Sequence, residues 1–267
     1  MKKAFYIISI IGFFFVSKVN AQIANTGDLI NWTSSVGQML FNYHQSYGIA
    51  LEEIKSKGEN NYSPTIYAGG VYGDGWAFSF GEFNEDSIFV LDYGVIVDGK
   101  GKIIKFDAFD FERPASAYHN LAAKALLKIK RDFRKLRNEN NEFSAKEYQF
   151  SILPFPRGEV TGFISPKGLT YFGNDVMYSL DRKTLNIRKR NRFHYKLLEI
   201  PKINSDSGLL TALNVPDAPI PSPIDVFKTI QRREKTIVNA KKGVFLIDIN
   251  GTMIKLAEDD PRSKAFK

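Results

Sequence analysis

The sequence predicts an α+β fold: an N-terminal helix and an antiparallel meander, then a long helix and a mixed sheet with a C-terminal helix and hairpin. Two segments place apolar residues at three- and four-residue steps, which indicates amphipathic helices. Between and after them, short aromatic and β-branched runs separated by Gly, Asn and Asp indicate strands. The helices and strands do not alternate as βαβ units, which favours α+β over a doubly wound parallel sheet.

Residues 1–21 have the three parts of a secretory signal peptide. The basic start Met1-Lys2-Lys3 precedes an apolar run and a polar stretch that ends at Ala21. The apolar run of about 13 residues is shorter than the roughly 20 needed to cross a bilayer as a helix. We therefore expect a soluble mature protein, periplasmic or secreted, that begins near Gln22 and is not an integral membrane protein.

The first predicted unit covers residues 22–115. A helix over 33–57 is predicted by one continuous apolar stripe, formed by Val36, Met39, Leu40, Tyr43, Tyr47, Leu51 and Ile54. Four strands follow, at 65–72, 76–83, 88–97 and 102–109. The dipeptide Asp98-Gly99 predicts the hairpin turn between the last two.

The second predicted unit covers residues 116–256. Ser116 is the predicted N-cap of a helix whose inner face runs from Tyr118 to Leu136. Further strands are predicted at 148–153, 160–164, 176–180, 185–190, 194–200 and 209–213. A helix at 224–233 then follows a proline-rich loop, and a hairpin at 236–256 has Asn250-Gly251 at its tip. Residues 257–267 resemble a frayed polar tail.

The net charge is +8 and the chain contains no cysteine, which excludes disulfides and thiolate chemistry. Lys2 and Lys3 belong to the predicted signal peptide, so the charge excess of the mature chain is smaller. Much of the remaining positive charge lies on the helix after Ser116, and its candidate binding residues are Lys128, Arg131, Arg134 and Lys135. Such a cluster can attract phosphate, lipid headgroups or acidic glycans. A solvated helix face, stabilised by the helix dipole, is the structural alternative.

Common catalytic signatures are missing from the sequence. It contains no phosphate-binding Gly-x-x-x-x-Gly-Lys, no Gly-x-Ser-x-Gly and no His-Glu-x-x-His. The histidines are His44, His119 and His194, each on a different predicted element. We expect His44 and His119 to be packed against a helix or exposed. His194 begins a predicted strand near several arginines.

Glu159 starts a strand after the long helix, and Ser222 and Asp225 open a later helix within Pro-Ser-x-x-Asp. This order resembles the JAMM (MPN-type) metallopeptidases, in which Glu-x-x-Gly-x-Leu meets a His-x-His-Pro loop ending in Pro-Ser-x-x-Asp. The resemblance implies that Glu159 is the general base, Ser222 orients the oxyanion and Asp225 is a zinc ligand.

The histidine ligands of that family are absent, because Leu213-Asn214-Val215-Pro216 stands where His-x-His-Pro is expected. Catalytic zinc needs about three protein ligands and an open position. The resemblance is therefore to a fold without a working metal site, and no cofactor is expected. The alternative is that the protein binds a zinc cofactor, with Asp225 and His194 as substitute ligands. A second interpretation needs no family at all: Ser222 caps a helix whose first turn favours the charge of Asp225.

Two functions follow as expectations. The first is a non-catalytic binding or envelope-associated module, a pseudoenzyme if the JAMM-like fold is present, whose partner is a protein or an anionic envelope component. No aromatic-interleaved basic motif is present, so no nucleic acid is expected. The alternative is a divergent peptide- or amide-bond hydrolase with Glu159 as base and a degenerate metal site.

Overall fold

The structure is a computed structural model that describes residues 26–58, 62–140, 143, 145, 147–154, 159–194, 196–200, 211–216 and 218–264. Its fold class is α+β, as predicted. The predicted signal peptide lies outside the described residues. In chain order the elements are α1 Thr26–Ser56, β1 Ile66–Tyr72, β2 Gly75–Phe83, β3 Phe89–Val97, β4 Ile103–Ala108, α2 Ala117–Glu139, β5 Tyr148–Pro154, β6 Glu159–Pro166, β7 Tyr171–Gly173, β8 Val176–Asp181, β9 Ile187–Arg192, β10 Leu197–Glu199, β11 Thr211–Val215, α3 Pro223–Arg232, β12 Thr236–Ala240, β13 Gly243–Ile247, β14 Met253–Lys255 and α4 Pro261–Lys264.

The first half contains the predicted meander. Strands β1 to β4 form a four-stranded antiparallel sheet in chain order. Helix α1 covers one face, where the Tyr43 ring lies 5.0 Å from that of Trp76 and 5.3 Å from that of Phe78. The helix begins before the predicted start, because Leu29 and Ile30 also pack against a hydrophobic cluster.

Helix α2 connects the two halves. Ser116 is its N-cap, as predicted, and accepts a hydrogen bond from the backbone N–H of His119 at 3.1 Å. The helix packs against β1, β5 and β6. A Cβ atom at Gly162 of β6 would lie 2.2 Å from Ile129, so glycine permits this close approach. Strands β5, β6, β8 and β9 form a second antiparallel sheet with β9 at its edge.

The C-terminal part differs from the prediction in three places. The mixed sheet is present, with β11 parallel to β12. The predicted tip at Asn250-Gly251 joins β13 to β14, but the segment 236–256 holds one strand more than a single hairpin, since β12 to β14 form three antiparallel strands. Gly251 makes the second turn with φ of 82°. Residues 197–199 of the strand predicted at 194–200 form β10, which pairs with β7, a strand that was not predicted. Residues 261–264 form α4 instead of continuing a frayed tail.

The largest hydrophobic core contains residues from both predicted units, among them Tyr43, Phe78, Ile129, Phe163 and Phe227. The boundary between residues 115 and 116 stays a prediction. Within the described ranges, no helix combines the length and apolar composition needed to cross a bilayer.

Candidate functional site

The N-terminus of α3 is held by a reciprocal capping box. The Ser222 hydroxyl accepts a hydrogen bond from the backbone N–H of Asp225 at 3.2 Å. A carboxylate oxygen of Asp225 accepts one from the backbone N–H of Ser222 at 2.7 Å. Pro223 occupies the first turn, where its missing N–H costs no hydrogen bond. The capping interpretation of Pro-Ser-x-x-Asp is therefore confirmed.

Two residues from distant parts of the chain join this cap. His194 follows β9, and its Nδ1 lies 2.6 Å from Oδ1 of Asp175, just before β8. Its Nε2 lies 3.3 Å from Oδ2 of Asp225 in an ion-pair contact. The Ser222 hydroxyl donates to the other oxygen of Asp175 at 3.1 Å. We call His194, Asp175, Ser222 and Asp225 the His194 cluster; the exposed fraction of each residue is 5% or less.

The electrostatics of the His194 cluster favour a charged imidazole. Burial alone would lower the pKa of His194, but the negative charges of Asp175 and Asp225 outweigh it and raise that pKa well above its usual value. Lys228, fully buried one turn after Asp225, donates to the carbonyls of Pro166 at 2.8 Å and Gly168 at 2.5 Å. Burial lowers the pKa of Lys228 to about 7, against the opposing attraction of Asp175.

The residues of the His194 cluster do not fit a zinc ion. A histidine ligand must offer a neutral ring nitrogen about 2.0–2.1 Å from the metal. Nδ1 of His194 is engaged by Asp175, which leaves Nε2 and the carboxylate of Asp225, 3.3 Å apart, as two donors, fewer than the three protein ligands of a catalytic zinc. In the part of the chain that the structure describes, no group of three or more His, Cys, Asp or Glu residues is arranged to hold a metal.

Glu159 lies apart from the His194 cluster. Its carboxylate accepts a short hydrogen bond from Ser179 and lies 3.5 Å from Arg188. Lys228, next to the cluster, bonds instead to the carbonyl of Pro166 at the other end of β6. The intervening length of strand spans about 23 Å at roughly 3.3 Å per residue. A general base must lie within hydrogen-bond reach of the reacting water, so this placement gives no support to the base role that the resemblance assigns to Glu159.

The sequence reasoning missed Asp175 and Lys228. A signal was present for Lys228, which lies three residues after Asp225 and therefore on the same side of α3. Asp175 gave a weaker signal, an acidic residue directly before the apolar start of β8. Nothing local connects either residue with His194.

The other two histidines are packed, as expected. His44 of α1 is partly buried, and its Nε2 lies 2.6 Å from the Ser151 hydroxyl of β5. Burial, helped by the charge of Lys228, lowers the pKa of His44 to about 3. Nδ1 of His119 lies 2.6 Å from the Ser79 hydroxyl of β2, and burial lowers its pKa as well. Both therefore stay neutral near pH 7.

The predicted basic residues of α2 do share one exposed face. We call Lys128, Arg131, Arg134 and Lys135 the cationic face of α2. All four side chains are exposed, and within the described structure none of them makes a hydrogen bond or an ion pair. Asp132 lies among them in sequence, but its carboxylate pairs with Arg190 of β9 at 2.7 Å. The face therefore has no internal counter-charge in direct contact.

The helix dipole does not account for the whole cationic face. Its stabilisation of cations falls off beyond the last turn of a helix, and the basic residue of the last turn is Arg137. Lys128 and Arg131 lie about 2.5 and 1.7 turns before Arg137. Like charges three or four residues apart, such as Arg131 and Lys135, each cost about 0.2–0.5 kcal/mol. The cationic face therefore works slightly against the stability of α2.

Comparisons with protein-family models, with curated proteins and with solved structures each found no match. The JAMM resemblance accordingly stays a prediction, and function is inferred from the two charged sites.

Proposed function

We propose that this protein is an exported, non-catalytic binding module that holds an anionic component of the cell envelope on the cationic face of α2. The observation that carries the proposal is the presence of four exposed cations, on consecutive turns of one helix, that have no hydrogen-bonding or ion-pair partner in the described parts of the chain. Their mutual repulsion is relieved when an external anion lies against them.

The chemistry of these four side chains suits anionic oxygens. Arg131 and Arg134 present planar guanidinium groups, which bind carboxylate, sulfate or phosphate with two parallel hydrogen bonds. Lys128 and Lys135 add mobile point charges at either end. Because no internal partner has to be displaced, ligand binding costs only the hydration and the side-chain freedom of the four residues.

The predicted location supports the same proposal. The signal-peptide features of residues 1–21 would bring the mature chain to the envelope or the medium, where acidic glycans and anionic headgroups are available. The hydrolase alternative has less support, since Ser222, Asp225 and His194 are buried and mutually compensated while Glu159 lies elsewhere.

Binding to dextran sulfate and to vesicles containing phosphatidylglycerol tests the proposal. The protein should bind at least one of the two, with an affinity that falls steeply as salt rises. Changing all four residues to Gln (K128Q, R131Q, R134Q, K135Q) should weaken that binding by about 1,000-fold, since each cation near an anionic surface contributes about 1 kcal/mol and the four together about 4 kcal/mol.

The matched control removes four other exposed lysines that have no charged partner within the described ranges: K100Q, K102Q, K235Q and K241Q. It lowers the net charge equally and should bind within about threefold of the wild type, because screening confines the effect to nearby cations. Equal losses in the two variants, or no binding to either probe, would refute the proposal.

A further inference from the structure

We infer that the anionic ligand is a linear acidic polysaccharide that lies lengthwise on α2 beside the edge strand β9. This inference rests on the proposed function and narrows it to one class of macromolecule.

The first support is the one-dimensional arrangement of the cations. Lys128 and Arg131 are separated by about 4.5 Å along the helix axis, and Arg131 and Lys135 by about 6 Å. Lys124, partly buried one turn before Lys128, extends the row to about 16 Å. A single small anion can contact only neighbouring members of this row. A polymer with an acidic group on successive units can contact all of them.

The second support is the open edge beside the row. The contact between Arg190 and Asp132 holds β9 against α2. Within the described strands, β9 pairs with β8 and has no partner on its other side. An unpaired strand edge presents backbone N–H and C=O groups that can bond to hydroxyls. A row of charge next to a row of neutral hydrogen-bonding groups matches a sugar chain, which carries both acidic and hydroxyl groups.

A bilayer fits this surface less well. The apolar residues of α2, such as Ile129 and Phe133, are buried against the sheets. The exposed large apolar side chains lie elsewhere: Val71, Tyr72, Ile88, Ile104, Phe111, Ile249 and Ile254. A helix that binds in the membrane interface inserts an apolar face, and α2 has none to offer.

A nucleic acid also fits less well. Proteins that hold single strands stack the bases on exposed aromatic rings next to a basic groove. Phe133 of α2 and the nearby Phe143 are buried, and the partly buried Tyr148 ring packs against Phe133 and Arg137. Two of the arginines beside the row are already occupied: Arg190 by Asp132 and Arg188 by Asp181.

A length series of oligogalacturonates, from dimer to decamer, tests the inference by isothermal titration calorimetry on the mature chain. Affinity should rise steeply until the oligomer spans the row of about 16 Å, and only slowly afterwards. K128Q/R131Q/K135Q should remove this length dependence and reduce the slope of log K against log salt by about one per cation. The control K100Q/K102Q/K235Q should leave both unchanged.

Three parallel probes separate the possible outcomes. Sulfated dextran oligomers of the same lengths distinguish a sulfate ligand from a carboxylate ligand, and binding of either series supports the inference. Phosphatidylglycerol vesicles that bind through the cationic face while no oligosaccharide binds would overturn the inference and leave the proposed function standing. Tighter binding of oligodeoxythymidylate than of the acidic oligosaccharides would also overturn the inference. Absence of binding to every probe would overturn both.

Discussion

The His194 cluster and the cationic face of α2 both contain several charged side chains. Those of the cluster are buried against groups of opposite charge, whereas those of α2 are exposed to solvent. In the cluster, the ring of His194 faces two carboxylates, and the neighbouring Lys228 bonds to two carbonyls. On α2, four cations have no such partner among the residues that the structure describes. A buried charge without compensation costs several kcal/mol, whereas an exposed one remains hydrated. The difference indicates that the cluster serves the fold and that the cationic face is the surface available to a ligand.

The largest expected effect on stability comes from removing one of the carboxylates that face His194 inside the cluster. Asp175→Asn removes one of the two carboxylates while keeping the size of the side chain. It should lower the free energy of unfolding by about 3–5 kcal/mol, because His194 and the Ser222 hydroxyl lose their charged partner in a buried site. Urea unfolding at pH 7 measures this loss.

The control for that variant is Asp86→Asn, at an exposed position without an ion pair, which should change stability by less than about 0.5 kcal/mol. If both variants lost the same amount, the compensation described for the cluster would be wrong.

A smaller effect should appear in the pH dependence of stability. The pKa of folded His44 is lowered to about 3, below its value in the unfolded chain. The contribution of neutral His44 to the free energy of unfolding is therefore present above about pH 6.5 and is lost as pH falls toward 3. Because part of the side chain stays accessible to solvent, we expect a loss of about 2 kcal/mol by pH 4, less than the full shift implies.

His44→Gln removes this titration and can still hydrogen-bond to Ser151. Urea unfolding of both proteins from pH 4 to pH 7 should show a flatter acid limb for the variant. The stabilisation that His194 contributes depends on pH in the opposite direction. Because the pKa of His194 is raised in the folded protein, its contribution to the free energy of unfolding is present below about pH 6.5 and is lost as pH rises through the raised pKa. Parallel acid limbs in wild type and His44→Gln would mean that His44 is not held neutral.

The smallest expected effect is the change in stability when the cationic face of α2 is removed. Replacing Lys128, Arg131, Arg134 and Lys135 by Gln should leave the free energy of unfolding within about 0.5 kcal/mol of wild type. Any change should be a gain, seen at low salt, since like-charge pairs along the helix disappear. Thermal unfolding at low and high salt measures it. A loss greater than about 1 kcal/mol would show that these cations stabilise the fold.

Elements whose formation depends on local pattern could be predicted from the sequence. The meander β1 to β4 follows alternating apolar runs and turn residues, and the N-caps Ser116 and Ser222 precede their helices directly. Strand β7 could not be predicted, because it has three residues and gains its stability from a distant partner, β10. The final strands were placed in one hairpin although Gly243, with φ of 127°, directly follows the turn at Lys241 and Lys242, so this turn signal went unused.

The features of the two candidate sites also divide into those set by the local sequence and those set by tertiary contacts. By itself, the sequence determined that α2 carries a dense row of cations and that Ser222 and Asp225 cap α3, since helical spacing and capping act over three or four residues. Tertiary structure decided that the cations stay unpaired, because β9 brings Arg190 to the one carboxylate among them. It also decided that His194 lies between Asp175 and Asp225. The strength of a charge contact depends on distance through space and on burial, and neither can be read from spacing along the chain.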